Sequence, residues 1–223
     1  MEDLEVRWKQ LRFSSEEEVV LEIPVEEEEE VLRKGERSLI GKVCTDHVIG
    51  KDFISNTMAK IWRMSKRFVF QEVEKNVFIV TFETHADKNI ILKGRPWPFD
   101  NMLFPLRHYD GRLQPTQIKF ESEIFWLQIQ NLPLGKMTKE CGEQIGASVG
   151  KVLEVDAMDD GVGWGRFLRV KIDMPLSKPI ARGRFIHSTD GKLWVPFQYE
   201  KLPKICFRCG WLVHDDVVVL KVD

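Results

Sequence analysis

Two cysteines and a histidine towards the end of the chain have the spacing of metal ligands. Cys206, Cys209 and His214 form the pattern C-x2-C-x4-H, which matches the first three ligand positions of a zinc knuckle. A knuckle takes its fourth ligand, usually Cys, after four further residues, and here that position is Val219. Zinc can bind through three protein ligands and water, but such sites are weaker and typical of open catalytic centres. We therefore expect residues 203–223 to be a truncated CCHC knuckle with a divergent tail, for which zinc binding is possible but doubtful.

Other side chains capable of chemistry are dispersed. Cys44 falls in a predicted strand and Cys141 on the apolar stripe of a predicted helix, so both are predicted to be core thiols. The other histidines occur singly at predicted loops or element ends, and no motif couples the carboxylates. The glycines of DGVGWG (160–165) lie between two predicted strands, whereas a phosphate-binding loop needs them between a strand and a helix. The sequence predicts a protein that is not an enzyme.

Charge is distributed unevenly along the chain. Residues 1–30 hold twelve acidic and three basic residues, and residues 31–223 hold 30 basic and 23 acidic ones, so a charge of −9 precedes one of +7. We expect residues 1–35 to be a disordered, solvated leader. The alternative is a leader that mimics nucleic acid and weakens non-specific phosphate binding.

The predicted cellular compartment rests on two features that the sequence lacks and on its cysteines. No apolar run reaches the roughly 18–20 residues that cross a bilayer, and the first residues lack the apolar region of a signal peptide. Four cysteines in such a chain favour reduced thiols over disulfides. We expect an intracellular protein without membrane contact, in the nucleus or the cytoplasm.

Apolar periodicity predicts an α+β fold made of two similar units, 36–110 and 124–202, joined by a linker over 111–123. Both follow the order β-α-β-β-α-β, which is the ferredoxin-like or RRM-like plan. In the first unit we predict strands at 38–44, 67–73, 76–82 and 101–109, and helices at 50–62 and 84–94. Ile54, Met58, Ile61 and Trp62 are predicted to form the apolar stripe of the first helix. In the second unit we predict strands at 124–132, 151–158, 165–173 and 192–200, and helices at 134–150 and 177–186.

Strand alternation indicates which residues face away from the helices of the second unit. With Leu168, Val170 and Ile172 in the core, and Phe125, Leu127 and Ile129 beside them, the open face carries Trp126, Gln128, Phe167, Arg169 and Lys171. Arg182 and Arg184 lie nearby in sequence. Aromatic rings and cations on one surface suit single-stranded RNA or DNA, because bases stack on the rings and cations contact phosphates. The alternative is that the two rings pack against the first unit or the linker.

The first unit gives a different surface. With Phe78, Val80 and Phe82 inward, its open face shows Val77, Ile79 and Thr81, without a ring or a cation on that strand. We expect this face to be covered, either by the other unit or by a second copy of the chain.

Several segments together resemble a known family. They are "GRPWPFDNMLFPLRHYDG", "FWLQIQNLPLGKM", "GKVLEVD", "WGRFLRVKIDMPLSKPI" and "WVPFQYEKLPKICFRCG". They are similar to the Gag-like, zinc-knuckle-containing proteins of plant LINE-type retrotransposons and their domesticated copies, over roughly residues 36–214. The resemblance implies an RRM-like domain of unknown function, a CCHC knuckle, nucleic-acid binding and no catalysis. In that family a Gly precedes the knuckle histidine, where this chain has Val213.

Two functions therefore remain open from the sequence. In the first, the second unit and the basic segment with Phe207, Arg208 and Trp211 bind single-stranded RNA or DNA. In the second, the chain is a protein–protein scaffold that has lost its affinity for nucleic acid. The near-neutral net charge of −2 and the incomplete knuckle favour the scaffold. The aromatic and basic face and the family resemblance favour nucleic-acid binding.

Overall fold

Two antiparallel sheets, of four and five strands, form the framework of the molecule. The computed structural model describes residues 6–8, 10–21, 25–188 and 191–212. Its antiparallel sheets and few helices confirm the predicted α+β class. Among these residues no helix is both long enough and apolar enough to cross a membrane.

The acidic leader contains a helix, α1 (Val25–Glu36), where the sequence analysis expected no regular structure. Glutamate is a good helix former, and acidic residues in the first turns interact favourably with the helix dipole. Arg33 pairs with Glu29 one turn earlier at 2.9 Å. Gly35 lies against the backbone of Asp110. The prediction of a disordered leader is therefore corrected for this segment, because the helix packs against the first unit.

The first unit follows the predicted order of elements. These are β1 (Ser38–Lys42), α2 (Lys51–Trp62), β2 (Phe68–Glu74), β3 (Val77–Phe82), α3 (His85–Lys93), β4 (Pro98–Phe99), β5 (Met102–Leu103) and β6 (Leu106–Tyr109). The sheet order β2-β3-β1-β6 places the first and third strands at the centre, as in the split β-α-β plan. The predicted strand over 101–109 is divided, since Pro105 has no N–H to donate and β4 pairs with β5 in a separate hairpin.

An aromatic cluster fills the core of the first unit. Helix α2 buries Ile54, Met58 and Trp62 on one face, which are three of the four residues predicted for that stripe. The Trp62 ring contacts the rings of Phe68 and Phe70, with centroids 5.2 and 5.8 Å apart. Such ring contacts add to the stabilisation from burial.

Asn76 closes the turn between β2 and β3 and is buried. Its φ of 61° is left-handed, which Asn tolerates better than most residues. Its side-chain oxygen accepts a hydrogen bond from the N–H of Ile49 at 2.8 Å, and its amide donates to the carbonyls of Thr45 and His47 at 2.9 and 2.8 Å. One side chain therefore holds the loop that leads into α2.

The second unit begins after a linker that contains a short 3-10 turn (Pro115–Gln117). Its elements are β7 (Ser122–Ile129), α4 (Lys139–Ala147), β8 (Lys151–Asp156), β9 (Leu168–Pro175), β10 (Gly183–Ser188) and β11 (Gly191–Tyr199). Helix α4 lies very close to the sheet, because a Cβ at Gly146 would stand 2.9 Å from the side chains of Val152 and Val170. The sheet order is β10-β11-β7-β9-β8.

The predicted helix over 177–186 is wrong. Its second half is the edge strand β10, which pairs antiparallel with β11 from Gly183 opposite Pro196 to Ser188 opposite Gly191. The reason lies in contacts with a distant segment. As a strand, β10 forms a complete ladder of hydrogen bonds with β11, and Gly183, which has no side chain, lets the Trp194 ring lie over its backbone. A Cβ at Gly183 would come within 2.5 Å of that ring.

Side chains from outside the second unit complete its core. The apolar cluster on the helix side of the second sheet includes Leu103 from the first unit, and Leu202 and Leu212 pack on it after β11. These residues occupy the side of the sheet where the missing second helix would lie in a split β-α-β unit. The two units therefore share buried surface.

An ion-pair cluster also joins the units. The Glu123 carboxylate, at the start of β7, lies 3.4 Å from the Arg107 guanidinium and 3.9 Å from that of Arg95. Arg107 also donates to the carbonyl of Ser122. Only 1% of the Glu123 side chain is exposed. Burial raises the pKa of Glu123, whereas Arg95, the N–H of Ile124 and Arg107 act in the opposite direction.

Candidate nucleic-acid interface

The predicted aromatic and basic residues meet on the helix-distal face of the second sheet. Trp126 on β7 stands opposite Lys171 on β9, and Gln128 opposite Arg169. The Arg169 guanidinium lies 3.8 Å from the Trp126 ring centroid, and the Lys171 ammonium 5.3 Å from it. Both distances are within the range of cation–π attraction. Phe125 and Leu127, which alternate with Trp126, are fully buried, so the predicted faces are confirmed.

Each cation of this cluster is also paired with an acid. Glu200 accepts two hydrogen bonds from Arg169, both of 2.7 Å, and Asp156 lies 3.5 Å from the same guanidinium. Lys171 lies 3.6 Å from Glu154. The hydrogen bond from Arg169 lowers the pKa of Glu200, and the same bond raises the pKa of Arg169. The positive charge around Trp126 is therefore largely neutralised from within the chain.

Three glutamine side chains extend the face towards β11. Gln128 donates to Glu200 at 2.9 Å, and Gln130 donates to Gln128 and to Gln198, each at 3.2 Å. A cavity of about 430 Å³ opens beside this row and is also lined by Arg182. Amide side chains can donate and accept together, which is what the edge of an unpaired base requires of a partner.

The remaining predicted residues of the second unit are placed separately. Phe167 is half-buried, just before β9, and within the described part of the chain it makes no ring or cation–π contact. Arg182 is exposed. Arg184 points to the opposite face of the sheet, where it donates to the carbonyl of Ser148 after α4 at 2.9 Å. The structure thus brings Trp126, Arg169 and Lys171 together and leaves Arg184 apart from them.

A tight turn presents the cysteine segment. The N–H of Gly210 donates to the carbonyl of Cys206 at 2.7 Å, and Gly210 has a φ of 76° that favours glycine. Phe207 is 93% exposed, Arg208 is exposed and Trp211 is half-buried. The Gly210 carbonyl accepts from the N–H of Ile180 at 2.9 Å, so the turn lies beside the segment before β10.

Zinc ligation is only partly supported by this turn. Cys206 and Cys209 are half-buried and lie on one turn, as the first ligand pair of a knuckle does. His214 and Val219 lie outside the described residues. Within the part that the structure describes, no group of three metal-binding side chains occurs. The donor set in hand is thus too small for a structural zinc site.

Restoring the fourth ligand position should convert this segment into a tight zinc site. Val219→Cys completes C-x2-C-x4-H-x4-C. Structural zinc binds its peptides with about 10–16 kcal/mol, or roughly 3 kcal/mol per ligand, so we expect zinc affinity to rise at least ~100-fold. Competition titration against a chromogenic chelator would measure it, with Val219→Ser as the control. Equal affinities of Val219→Cys and Val219→Ser would contradict the expectation.

The open face of the first unit is covered in part by the chain itself. Ile40, which stands opposite Ile79 on this face, is fully buried, and Val77 is buried as well. Ile79 and Thr81 are half-buried. The linker contributes, because the Arg107 guanidinium lies 5.9 Å from the Phe120 ring centroid. The predicted covering by intramolecular packing is supported at Ile40 and Val77, and the self-association alternative stays a prediction.

The two other cysteines have the properties of core thiols. Burial raises the pKa of Cys44 to about 11 and also raises the pKa of Cys141. Both side chains pack on the apolar cluster of the second unit. A thiol with a raised pKa is protonated at neutral pH, and the thiol form is a poor nucleophile.

Sequence reasoning missed Glu200, Phe185 and Trp194. Glu200 follows the last strand, and its pairing with Arg169, 31 positions away, could not be anticipated from local sequence. Phe185 was placed in a predicted helix, although "GRFIHS" and "GKLWVPF" alternate in the manner of paired strands. That alternation was the available signal for an exposed aromatic pair.

Two family models match separate parts of the chain. Residues 32–117 match a domain of unknown function, DUF4283, and residues 174–220 match a zinc knuckle. An uncharacterized protein of Arabidopsis thaliana is 26% identical over 125 residues, which is 56% of this chain and 39% of that protein. The chain thus spans well under half the length of this relative. The zinc-knuckle match suggests zinc and nucleic-acid binding, as the resemblance in the sequence implied, whereas DUF4283 is a domain of unknown function.

Proposed function

We propose that this chain is a non-enzymatic protein that binds single-stranded RNA or DNA. The contact surface is the helix-distal face of the second sheet, with Trp126, Arg169 and the glutamine row, together with the exposed Phe207 and Arg208 of the cysteine turn. The observation that carries the proposal is the combination on one face of an aromatic ring, cations and amides, beside a segment that matches a zinc knuckle. Single-strand binding proteins use these groups for stacking, phosphate contact and base-edge hydrogen bonds.

A Gag-like origin in a plant LINE-type retrotransposon belongs to the same proposal. It is supported by the order of the two matched families, DUF4283 before a zinc knuckle, and by a match in a plant protein. In such a protein weak sequence preference is expected, because stacking and phosphate contacts accept every base.

A protein–protein scaffold is the second candidate function. It is favoured by the ion pairs on the same face, since Glu200, Asp156 and Glu154 already engage the cations that a phosphate would need. A phosphate must displace Glu200 from Arg169 to make a bidentate contact of its own. Removing that carboxylate therefore separates the two functions. Binding of nucleic acid should strengthen if the chain is a nucleic-acid-binding protein, and no binding should appear if it is a scaffold.

Neutralising Glu200 should strengthen binding of single-stranded RNA. Glu200→Gln frees the Arg169 guanidinium for phosphate, so we expect about three- to tenfold tighter binding, the equivalent of one partly exposed ion pair. The log–log salt slope should steepen by about 0.7, one added phosphate contact. Fluorescence anisotropy of a labelled oligouridine over a salt series, with zinc and with chelator, measures both. If chelator leaves the affinity unchanged, the second unit rather than the knuckle supplies the contact.

Glu121→Gln is the matched control, because it makes the same charge change at an exposed site before β7. Equal gains from the two variants would mean that only net charge matters and that this face is not the contact surface. No binding by the wild-type chain at low salt would reject nucleic-acid binding and favour the scaffold.

A further inference from the structure

The β10–β11 hairpin displays an aromatic pair on the helix-distal face of the second sheet. Phe185 stands opposite Trp194 in the ladder, with ring centroids 4.9 Å apart and planes inclined by 58°. Phe185 is 66% exposed and Trp194 is 40% exposed. Trp194 lies over Gly183, where a Cβ would come within 2.5 Å of the ring. The backbone at Gly183 therefore covers part of the Trp194 indole, and the exposed parts of both rings are accessible to a ligand.

The charge around this pair differs from the charge around Trp126. Neither β10 nor β11 contains an acidic residue, while Lys192 and His187 stand opposite each other on the same face, next to the aromatic pair. Within the described residues Lys192 and Arg182 make no ion pair, although Asp190, in the turn between the strands, lies outside them. In contrast to Arg169 and Lys171, these cations are free of acidic partners among the described residues.

We propose that Phe185 and Trp194 form the base-stacking platform for single-stranded nucleic acid, with Lys192 and Arg182 contacting its phosphates. This inference rests on the proposed function and locates its stacking site. Base–aromatic stacking needs exposed rings, and phosphate contact needs cations without acidic partners. Among the described residues the rings and Lys192 occur together on this hairpin, and Arg182 lies just before it. Trp126 is a poorer platform, because its ring already carries the Arg169 guanidinium at 3.8 Å.

The polar surface beside the platform fits the same ligand. Gln198 lies four residues beyond Trp194 on the same face of β11, or about 13 Å along the strand. Gln130 donates to Gln198 at 3.2 Å, so the glutamine row continues the hairpin surface. A polynucleotide lying across β11 and β7 would stack bases at one end and present base edges to amides at the other. The uncompensated cations favour an anionic ligand, and the two exposed rings favour a polynucleotide over an acidic peptide, because every nucleotide carries a planar base that can stack.

An abasic oligonucleotide separates stacking from phosphate contact. It keeps the backbone charge and removes the bases, so the wild-type chain should bind oligouridine about 10- to 100-fold more tightly than an abasic strand of equal length. The double variant Phe185→Ala/Trp194→Ala should lose most of this preference and keep only the part that base-edge contacts with the glutamine row supply. Trp194→Phe should recover part of it. Trp164→Ala, at an exposed tryptophan in the loop between β8 and β9, should change nothing.

The outcomes distinguish the platform from the function on which it rests. If the double variant keeps the full preference, stacking occurs elsewhere and the platform is rejected while nucleic-acid binding stands. If the wild type binds both strands equally, binding is purely electrostatic, and the platform is again rejected. If it binds neither strand, the proposed function fails as well. If the double variant fails to fold, Phe185→Ala alone provides the test. Phe185 lies on an edge strand and is 66% exposed, so this single substitution should leave the fold intact.

Discussion

Asn76→Ala should lower the free energy of unfolding by about 3–5 kcal/mol, enough to unfold much of a marginally stable domain. The substitution removes three hydrogen bonds, to the buried Ile49 and to the carbonyls of Thr45 and His47, whose bonds are partly buried. It also places alanine at a left-handed φ of 61°, which costs about 1 kcal/mol more. Urea denaturation followed by circular dichroism measures the change.

Asn131 supplies the control for the backbone strain. It has a φ of 54° and is exposed, and its side chain makes no hydrogen bond within the described residues. Asn131→Ala should therefore cost only about 1 kcal/mol. If Asn76→Ala costs no more than this, the hydrogen bonds of Asn76 do not hold the loop. Asn76→Gly should fall between the two, because glycine accepts the φ and still lacks the amide.

Glu123→Ala should destabilise the chain by about 3–5 kcal/mol, because it leaves the Arg95 and Arg107 guanidinia close together without their shared counter-ion. Both arginines belong to the first unit and Glu123 to the second. The loss should therefore appear as weaker coupling between the units as well as lower stability. Differential scanning calorimetry would reveal it as a lower Tm and a broadened or divided transition.

Glu121→Ala is the matched control for this prediction. Glu121 lies two residues earlier, and both it and its partner Lys119 are largely exposed at 3.4 Å. Exposed pairs of this kind contribute about 0–1 kcal/mol. A Glu123→Ala variant as stable as Glu121→Ala would show that water reaches the two arginines and that the cluster does not hold the units together.

The pKa of Glu123 defines how this cluster responds to pH. Burial raises its pKa above the ordinary value of 4.5. The folded state therefore holds this proton more tightly than the unfolded state, and the associated stability is fully present below pH 4.5. It is lost as the pH rises through the folded value. When ionised, the carboxylate is costly to bury, and it then compensates two guanidinia that are themselves partly buried.

The local pattern of apolar residues was sufficient to predict much of this fold. The stripe Ile54, Met58 and Trp62 and the alternation of Phe125 and Leu127 placed α2 and β7 on the correct faces, because neighbours in the sequence determine which side chains can share a face. The same alternation brought Trp126 next to Arg169. These predictions needed no knowledge of distant contacts.

Non-local contacts decided where the predictions differed from the structure. The segment before Phe185 has a helix-compatible composition, yet β11 supplies a ladder that a helix there would forfeit. Glu200 reaches Arg169 only because β11 lies beside β7. The glutamates of α1 were expected to be solvated without structure, although the helix that contains them lies against Asp110 of the first unit at Gly35. In each case the deciding partner lies far away in sequence.

The sharing of Leu103 has a consequence for how the chain can be divided. Leu103 comes from the first unit yet belongs to the core of the second unit, and Leu202 and Leu212, which follow the last strand, pack against that core. A fragment limited to β7–β11 would expose that apolar surface to water, as aggregation-prone proteins do. We therefore expect that the second unit does not fold autonomously and that the two units unfold together.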